Sequence, residues 1–122
     1  MIIFYQGIGI KMEIDNLNFE QGTLNFVVPK GKIKYDDDNT TTIFSFRNAI
    51  GSLIIIKNKD NGIEINYNYF DKAICCLKTD ASILDNDDEH TFAVTWSLDE
   101  KEIILLIDNK EEATAELEIL SS

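Results

Sequence analysis

The sequence predicts an all-β domain built as a two-sheet antiparallel β-sandwich, and three observations predict it. Apolar residues recur at period two in run after run, as one buried face of a strand requires. Clusters of Asp, Asn, Gly and Lys separate these runs at roughly ten-residue spacing, the rhythm of a sandwich or barrel. A helical period is absent from every ten-residue window except 111–120.

The runs follow in order. Leu24, Phe26 and Val28 alternate with Thr23, Asn25 and Val27. Phe44 and Phe46 bracket Ser45, and Leu53 to Ile56 is a continuous apolar stretch, as in a strand covered on both faces. Ile63, Ile65, Tyr67 and Tyr69 alternate with Glu64, Asn66 and Asn68. Phe92, Val94 and Trp96 alternate with Thr91, Ala93 and Thr95, and Ile103, Leu105 and Ile107 make the next set. In 111–120, Ala113, Leu117 and Leu120 make a helical face, but Leu117 and Ile119 alternate with Glu116 and Glu118, which favours a last strand. Asn61-Gly62 and Asp108-Asn109 suit tight hairpins, because these residues accept positive φ. Phe26, Phe44, Phe92, Val94, Trp96, Leu105 and Ile107 are the expected shared core.

The 122 residues form one domain, 1–122, with no linker, repeat or low-complexity tract. A chain of this length buries roughly two thirds of its unfolded surface, enough for a core without staples. Its net charge of -11 and the absence of a basic stripe argue against nucleic acid and against anionic membranes. Cationic ligands, metal ions and basic protein patches stay compatible with that charge, which also favours solubility. The two cysteines, Cys75 and Cys76, are adjacent, so a strand would point them to opposite faces. They offer neither metal spacing nor a disulfide framework. No segment reaches transmembrane length, and the start of the chain lacks the basic region and long apolar run of a signal peptide.

Two stretches resemble a known family. Gly22-Thr23-Leu24-Asn25-Phe26-Val27-Val28-Pro29 is similar to the opening strand of laminin-G-like, concanavalin A-like jelly rolls. His90-Thr91-Phe92-Ala93-Val94-Thr95-Trp96-Ser97, with the hairpin from Glu102 through Asp108-Asn109-Lys110, resembles that family's later strands. Thr42 to Phe46 and Asn61 to Ile65 look like strands in between, so the resemblance spans about residues 22–115. Val27 stands where relatives carry an aromatic, Glu89 where a Trp often precedes the His, and Asn109 where the turn Gly is usual. The resemblance implies a lectin-like jelly roll, carbohydrate or protein recognition, and an extracellular setting or a place in a longer chain. Its motifs are core and turn signals, which argue fold better than function.

Catalytic constellations are thin. Glycosidases of this fold use Glu-x-Asp-x-x-Glu, because two carboxylates must flank one glycosidic bond. Glu13-Ile14-Asp15-Asn16-Leu17-Asn18 lacks the third carboxylate, and a solvent-facing edge strand explains it better. His90 is the only histidine and reads as a structural strand residue. One His and two adjacent Cys do not make a zinc set. Trp96, Tyr67 and Tyr69 read as core rather than as sugar-stacking platforms. The chain is therefore expected not to be an enzyme.

Loops carry the candidate site. If successive strands run antiparallel, loops 29–41, 58–61, 79–89 and 108–109 share one end of the sandwich. They carry Asp36, Asp37, Asp38, Asp60, Asp80, Asp85, Asp87, Asp88, Glu89 and Asp108, whereas the other end mixes Arg47, Lys72 and Lys101 with Asp71, Asp99 and Glu100. Asp36, Asp38, Asp60, Asp87 and Asp108 are the expected ligand-binding residues, for a glycan or protein ligand held by these rim loops or by a concave sheet face. Oxygen ligands converging from several loops suit Ca²⁺, although no EF-hand-like spacing is present. A competing expectation comes from Ile104 and Leu106, which take the outward phase of an already apolar strand, with Ile54 or Ile56 doing the same elsewhere. Such a face needs cover from residues 1–14 or from a second copy, which makes the chain a candidate homo-oligomer.

Overall fold

A computed structural model describes the backbone of residues 2–5 and 11–14 and all atoms of residues 17–81, 83–84 and 87–120. The described residues contain strands and no helix. β1 (Ile2–Tyr5) and β2 (Lys11–Ile14) pair with each other as a separate antiparallel hairpin.

The rest is a two-sheet antiparallel β-sandwich. One sheet has the order β10-β9-β8-β3, made of β10 (Lys110–Glu116), β9 (Glu102–Ile107), β8 (His90–Ser97) and β3 (Gln21–Val28). The other runs β11-β7-β6-β5-β4, made of β11 (Glu118–Ile119), β7 (Ala73–Lys78), β6 (Ile63–Tyr69), β5 (Gly51–Lys57) and β4 (Thr41–Arg47). The period-two pattern explains the layering, since each strand sends alternate side chains inward. β8 buries His90, Phe92, Val94 and Trp96, and β9 buries Ile103, Leu105 and Ile107. Phe92, Phe26 and Phe44 bridge the layers: Phe92 and Phe26 stack at 5.3 Å, and Phe26 and Phe44 at 6.2 Å. All seven expected core residues lie in this one cluster.

Turns behave as their residue types allow. Asp108 and Asn109 both have positive φ, which closes the β9–β10 hairpin, and Asn61 does so between β5 and β6. β4 carries a bulge between Thr42 and Phe44, so Ile43 and Phe44 are both buried although adjacent. The segment 111–120, where a helical face competed, forms β10 and β11.

Residues without strand periodicity complete the core. Leu17 and Phe19, just before β3, are buried, and so are Ile33, Tyr35, Leu84 and Leu117. Phe19 packs against Phe46, Tyr67 and Tyr69, and the Tyr67 hydroxyl donates to the Phe19 carbonyl. Trp96 lies over Gly22, where a Cβ would stand 2.6 Å from the indole, so the residue opposite Trp96 must be glycine.

The outer faces are legible from the register. On the four-stranded sheet Thr23, Thr95, Ile104 and Thr114 form one row, and Asn25, Ala93, Leu106 and Glu111 the next. Ile104 and Leu106 do point outward and are partly buried. Cover by residues 1–14 concerns side chains outside the described residues. β5 is apolar inward at Leu53 and Ile55, and Ile54 and Ile56 sit on the outer face among polar neighbours. Cys75 packs against the core and Cys76 is exposed; both are free.

Candidate functional site

The acidic loops meet at one end, and the bonds between them are specific. The Gly31 N–H donates to the Asp87 carbonyl at 2.8 Å, which ties loop 29–40 to the loop before β8. Asp38 and Asn61 exchange two bonds: the Asp38 N–H donates to Asn61 Oδ1 at 3.0 Å, and Asn61 Nδ2 donates to Asp38 Oδ1 at 2.7 Å. Lys57 drives this junction. It takes the inward phase of β5, is fully buried, and donates to Asp37 at 2.5 Å and to Asn61 at 3.1 Å. The Lys57 ammonium and the Asn39 N–H hold the Asp37 carboxyl below the usual range.

Asp108 has a structural task as well. One oxygen contacts His90 Nδ1 at 2.8 Å and the other accepts from the Thr91 N–H at 3.0 Å. Burial pushes this carboxyl up, but the bonds from His90 and Thr91 outweigh it and hold it low. Tyr35 meets the His90 ring edge-on at 5.5 Å, and burial, then the Asp108 charge, raises its hydroxyl above the ordinary tyrosine range.

Of the five expected ligand residues, Asp38 and Asp108 are thus committed to the fold, while Asp36, Asp60 and Asp87 are exposed. Asp85 lies outside the described residues, as does Asp15 of the glycosidase-like stretch. The loops also carry Lys30, Lys32, Lys34 and Lys59, and Lys30 stands 3.6 Å from Asp88. Among the described residues no three His, Cys, Asp or Glu side chains gather as a metal would require.

A different surface carries two shallow depressions. At the opposite end, the outer face of the five-stranded sheet carries one cross-strand row: Arg47, Ser52, Asn68, Ile74 and Glu118. The next row is Ser45, Ile54, Asn66 and Cys76. Two depressions share Ser52 and Asn68: one of about 480 Å³ reaches Asn66, Ile74 and Glu118, and one of about 220 Å³ reaches Arg47, Asn48 and Phe70. Together they make a shallow trough along the end of the sheet.

Phe70 is the notable wall. It sits in the tight β6–β7 turn, where the Lys72 N–H donates to the Tyr69 carbonyl. Its φ is +39°, a conformation that costs a bulky residue of order 1–3 kcal/mol, and its ring is 66% exposed. Asn48 shapes the other wall by accepting from the Ile50 and Gly51 N–H groups. A Cβ at Gly51 would stand 2.5 Å from the Asn68 carbonyl oxygen and 3.0 Å from the buried Phe19 ring, so the start of β5 packs closely on β6 and Phe19 because Gly51 is glycine. Asn66 Nδ2 donates to Glu64, which also approaches Lys78 at 3.8 Å.

The sequence offered one weak signal for this site, a lone aromatic inside the turn Tyr69-Phe70-Asp71-Lys72. Comparison of the chain with family models, curated proteins and solved structures returned no match. No helix among the described residues is long and apolar enough to cross a membrane.

Proposed function

We propose that this chain is a non-catalytic recognition module, laminin-G-like in kind, that binds carbohydrate in the trough on the outer face of the five-stranded sheet. The observation that carries the reading is Phe70, a strained and exposed aromatic beside Arg47, Asn48, Ser52 and Asn68. A sugar ring presents an apolar C–H face and a rim of hydroxyls. An exposed ring suits the face, and Asn amides, a Ser hydroxyl and a guanidinium suit the rim. The non-catalytic part draws on His90, whose Nδ1 is engaged by a carboxylate that also anchors Thr91. The jelly-roll and concanavalin A-like assignments rest on the sequence resemblance, supported by the two antiparallel sheets. The rim loops serve here as structural closure, and Ca²⁺ is an optional arm of the test.

The second reading is an assembly domain that associates through the outer apolar face of the four-stranded sheet. It draws on Ile104 and Leu106. Ile104, however, stands between Thr95 and Thr114, and Leu106 between Ala93 and Glu111, so the apolar area is narrow. The geometry favours recognition.

A glycan array run with and without Ca²⁺, using the wild-type chain and Phe70→Ala, tests the proposal. Binding to a defined glycan class that is lost in Phe70→Ala supports it. No binding, or binding indifferent to Phe70, overturns it.

A further inference from the structure

We propose that Lys57 and Asn61 join covalently: the Lys57 amine displaces the side-chain nitrogen of Asn61 as ammonia and leaves an isopeptide bond between β5 and the turn into β6. The inference is independent of the glycan reading, because this junction lies at the end of the sandwich opposite the trough.

The groups that such an amide exchange needs stand together here. Lys57 is the nucleophile and the one lysine buried among the described residues, so water does not compete at its nitrogen. The Asn61 amide is the electrophile: Nζ lies 3.1 Å from Oδ1, and the carbon to be attacked is one bond beyond. The Asp37 carboxylate is the base, 2.5 Å from the same Nζ. The Asp38 N–H donates to Asn61 Oδ1 at 3.0 Å, where negative charge would develop during attack. The Asp38 carboxylate holds Nδ2, the leaving nitrogen, at 2.7 Å. An ion pair alone accounts for Asp37. It does not account for an amide clamped at both its oxygen and its nitrogen against the same ammonium. Groups fixed at such distances reach effective molarities on the order of 10⁵ M or more, which offsets the low reactivity of an amide. The competing attack on Asn61 comes from the Gly62 nitrogen, whose N–H is held by Asn58 Oδ1 at 3.0 Å.

The step balances without a co-reactant. Nζ gives one proton to Asp37 and its lone pair forms the bond to Cγ of Asn61, while the carbonyl electron pair moves to Oδ1. A second Nζ proton passes to Nδ2, the carbonyl re-forms, and the Cγ–Nδ2 bond breaks. Ammonia leaves and takes the proton held by Asp37, so the carboxylate is restored and the released species is ammonium. The ion pair described above is the starting state of this step.

Intact mass spectrometry and tryptic mapping of the full chain, fresh and after prolonged incubation below the melting temperature, test this. The expected product is lighter than the 13.9 kDa chain by one ammonia. Trypsin should no longer cut after Lys57, and residues 48–59 should appear as a branched peptide joined to residues 60–72. Lys57→Arg should keep the full mass, and Lys59→Arg should lose ammonia as the wild type does. Asp37→Asn should react at least about tenfold more slowly. The wild-type map decides the question if a variant fails to fold. A full mass throughout overturns the inference. So does ammonia loss that leaves Lys57 cleavable or persists in Lys57→Arg, because that is attack by Gly62. Loss of water with Lys57 joined to Asp37, or an Asp37→Asn chain that reacts as fast as wild type, overturns the assigned roles.

Discussion

Trp96 Nε1 donates a hydrogen bond of 2.8 Å to the carbonyl of Asn18, tying the end of β8 to the segment that leads into β3. The indole also covers Gly22, and the Leu98 N–H donates to the Glu20 carbonyl alongside. One side chain thus closes the end of the sandwich nearest the trough and satisfies a carbonyl that strand pairing leaves unmatched.

Truncating Trp96 to Ala should cost about 3–5 kcal/mol by loss of buried aromatic area and creation of a cavity. Gly22→Val should be destabilising as well, because its side chain collides with the indole. Chemical denaturation of both variants measures this. Wild-type midpoints for either would mean that Trp96 is not packed as described.

Acid should loosen the rim loops first. Asp37 and Asp108 both have folded pKa values below the ordinary carboxylate value, so each contributes stability that is present above about pH 4. That stability is lost as pH falls through the lowered folded values. The melting temperature should drop as pH falls below about 4, and less steeply in Asp37→Asn. An equal slope in that variant would contradict the Lys57–Asp37 account.

Lys57 separates a buried charge from a buried volume. Asp37→Ala leaves the ammonium buried, with Asn61 as its remaining partner among the described residues, whereas Lys57→Met removes the charge and keeps the packing. Lys57→Met should therefore be the more stable of the two by thermal melting. The reverse order would show that a buried ammonium without its carboxylate costs little at this position.

Phe70 should trade stability against binding. Asn accepts positive φ far better than Phe, so Phe70→Asn should raise the melting temperature by about 3 °C. The same variant should lose glycan binding. A variant both more stable and fully active would make the strain incidental to function.

The fold was legible because each strand carries a period-two signal strong enough to survive its turns. β8 and β9 read directly from Phe92-Val94-Trp96 and Ile103-Leu105-Ile107. Lys57 also keeps the inward phase of β5 and was passed over because a lysine is rarely buried without a partner. Its partners come from loops at sequence separations that no local pattern reports. Leu17, Phe19, Ile33 and Tyr35 enter the core from irregular backbone, which has no period to read. The rim was read from its carboxylates alone, so the lysines between them and the structural roles of Asp38 and Asp108 went uncounted. The trough left one trace in the sequence, the aromatic Phe70 in a turn. It exists only because Arg47, Ser52 and Asn68 share a cross-strand row and Phe70 is held in a left-handed turn.

The most direct test of the central claim is a titration of the ¹⁵N-labelled domain with the best sugar from the glycan array, read by chemical-shift mapping. The account predicts perturbations at Arg47, Ser52, Asn68 and Phe70, with the rim residues Asp36, Asp60 and Asp87 unmoved. Shifts concentrated on the rim, or none at saturating sugar, would contradict it.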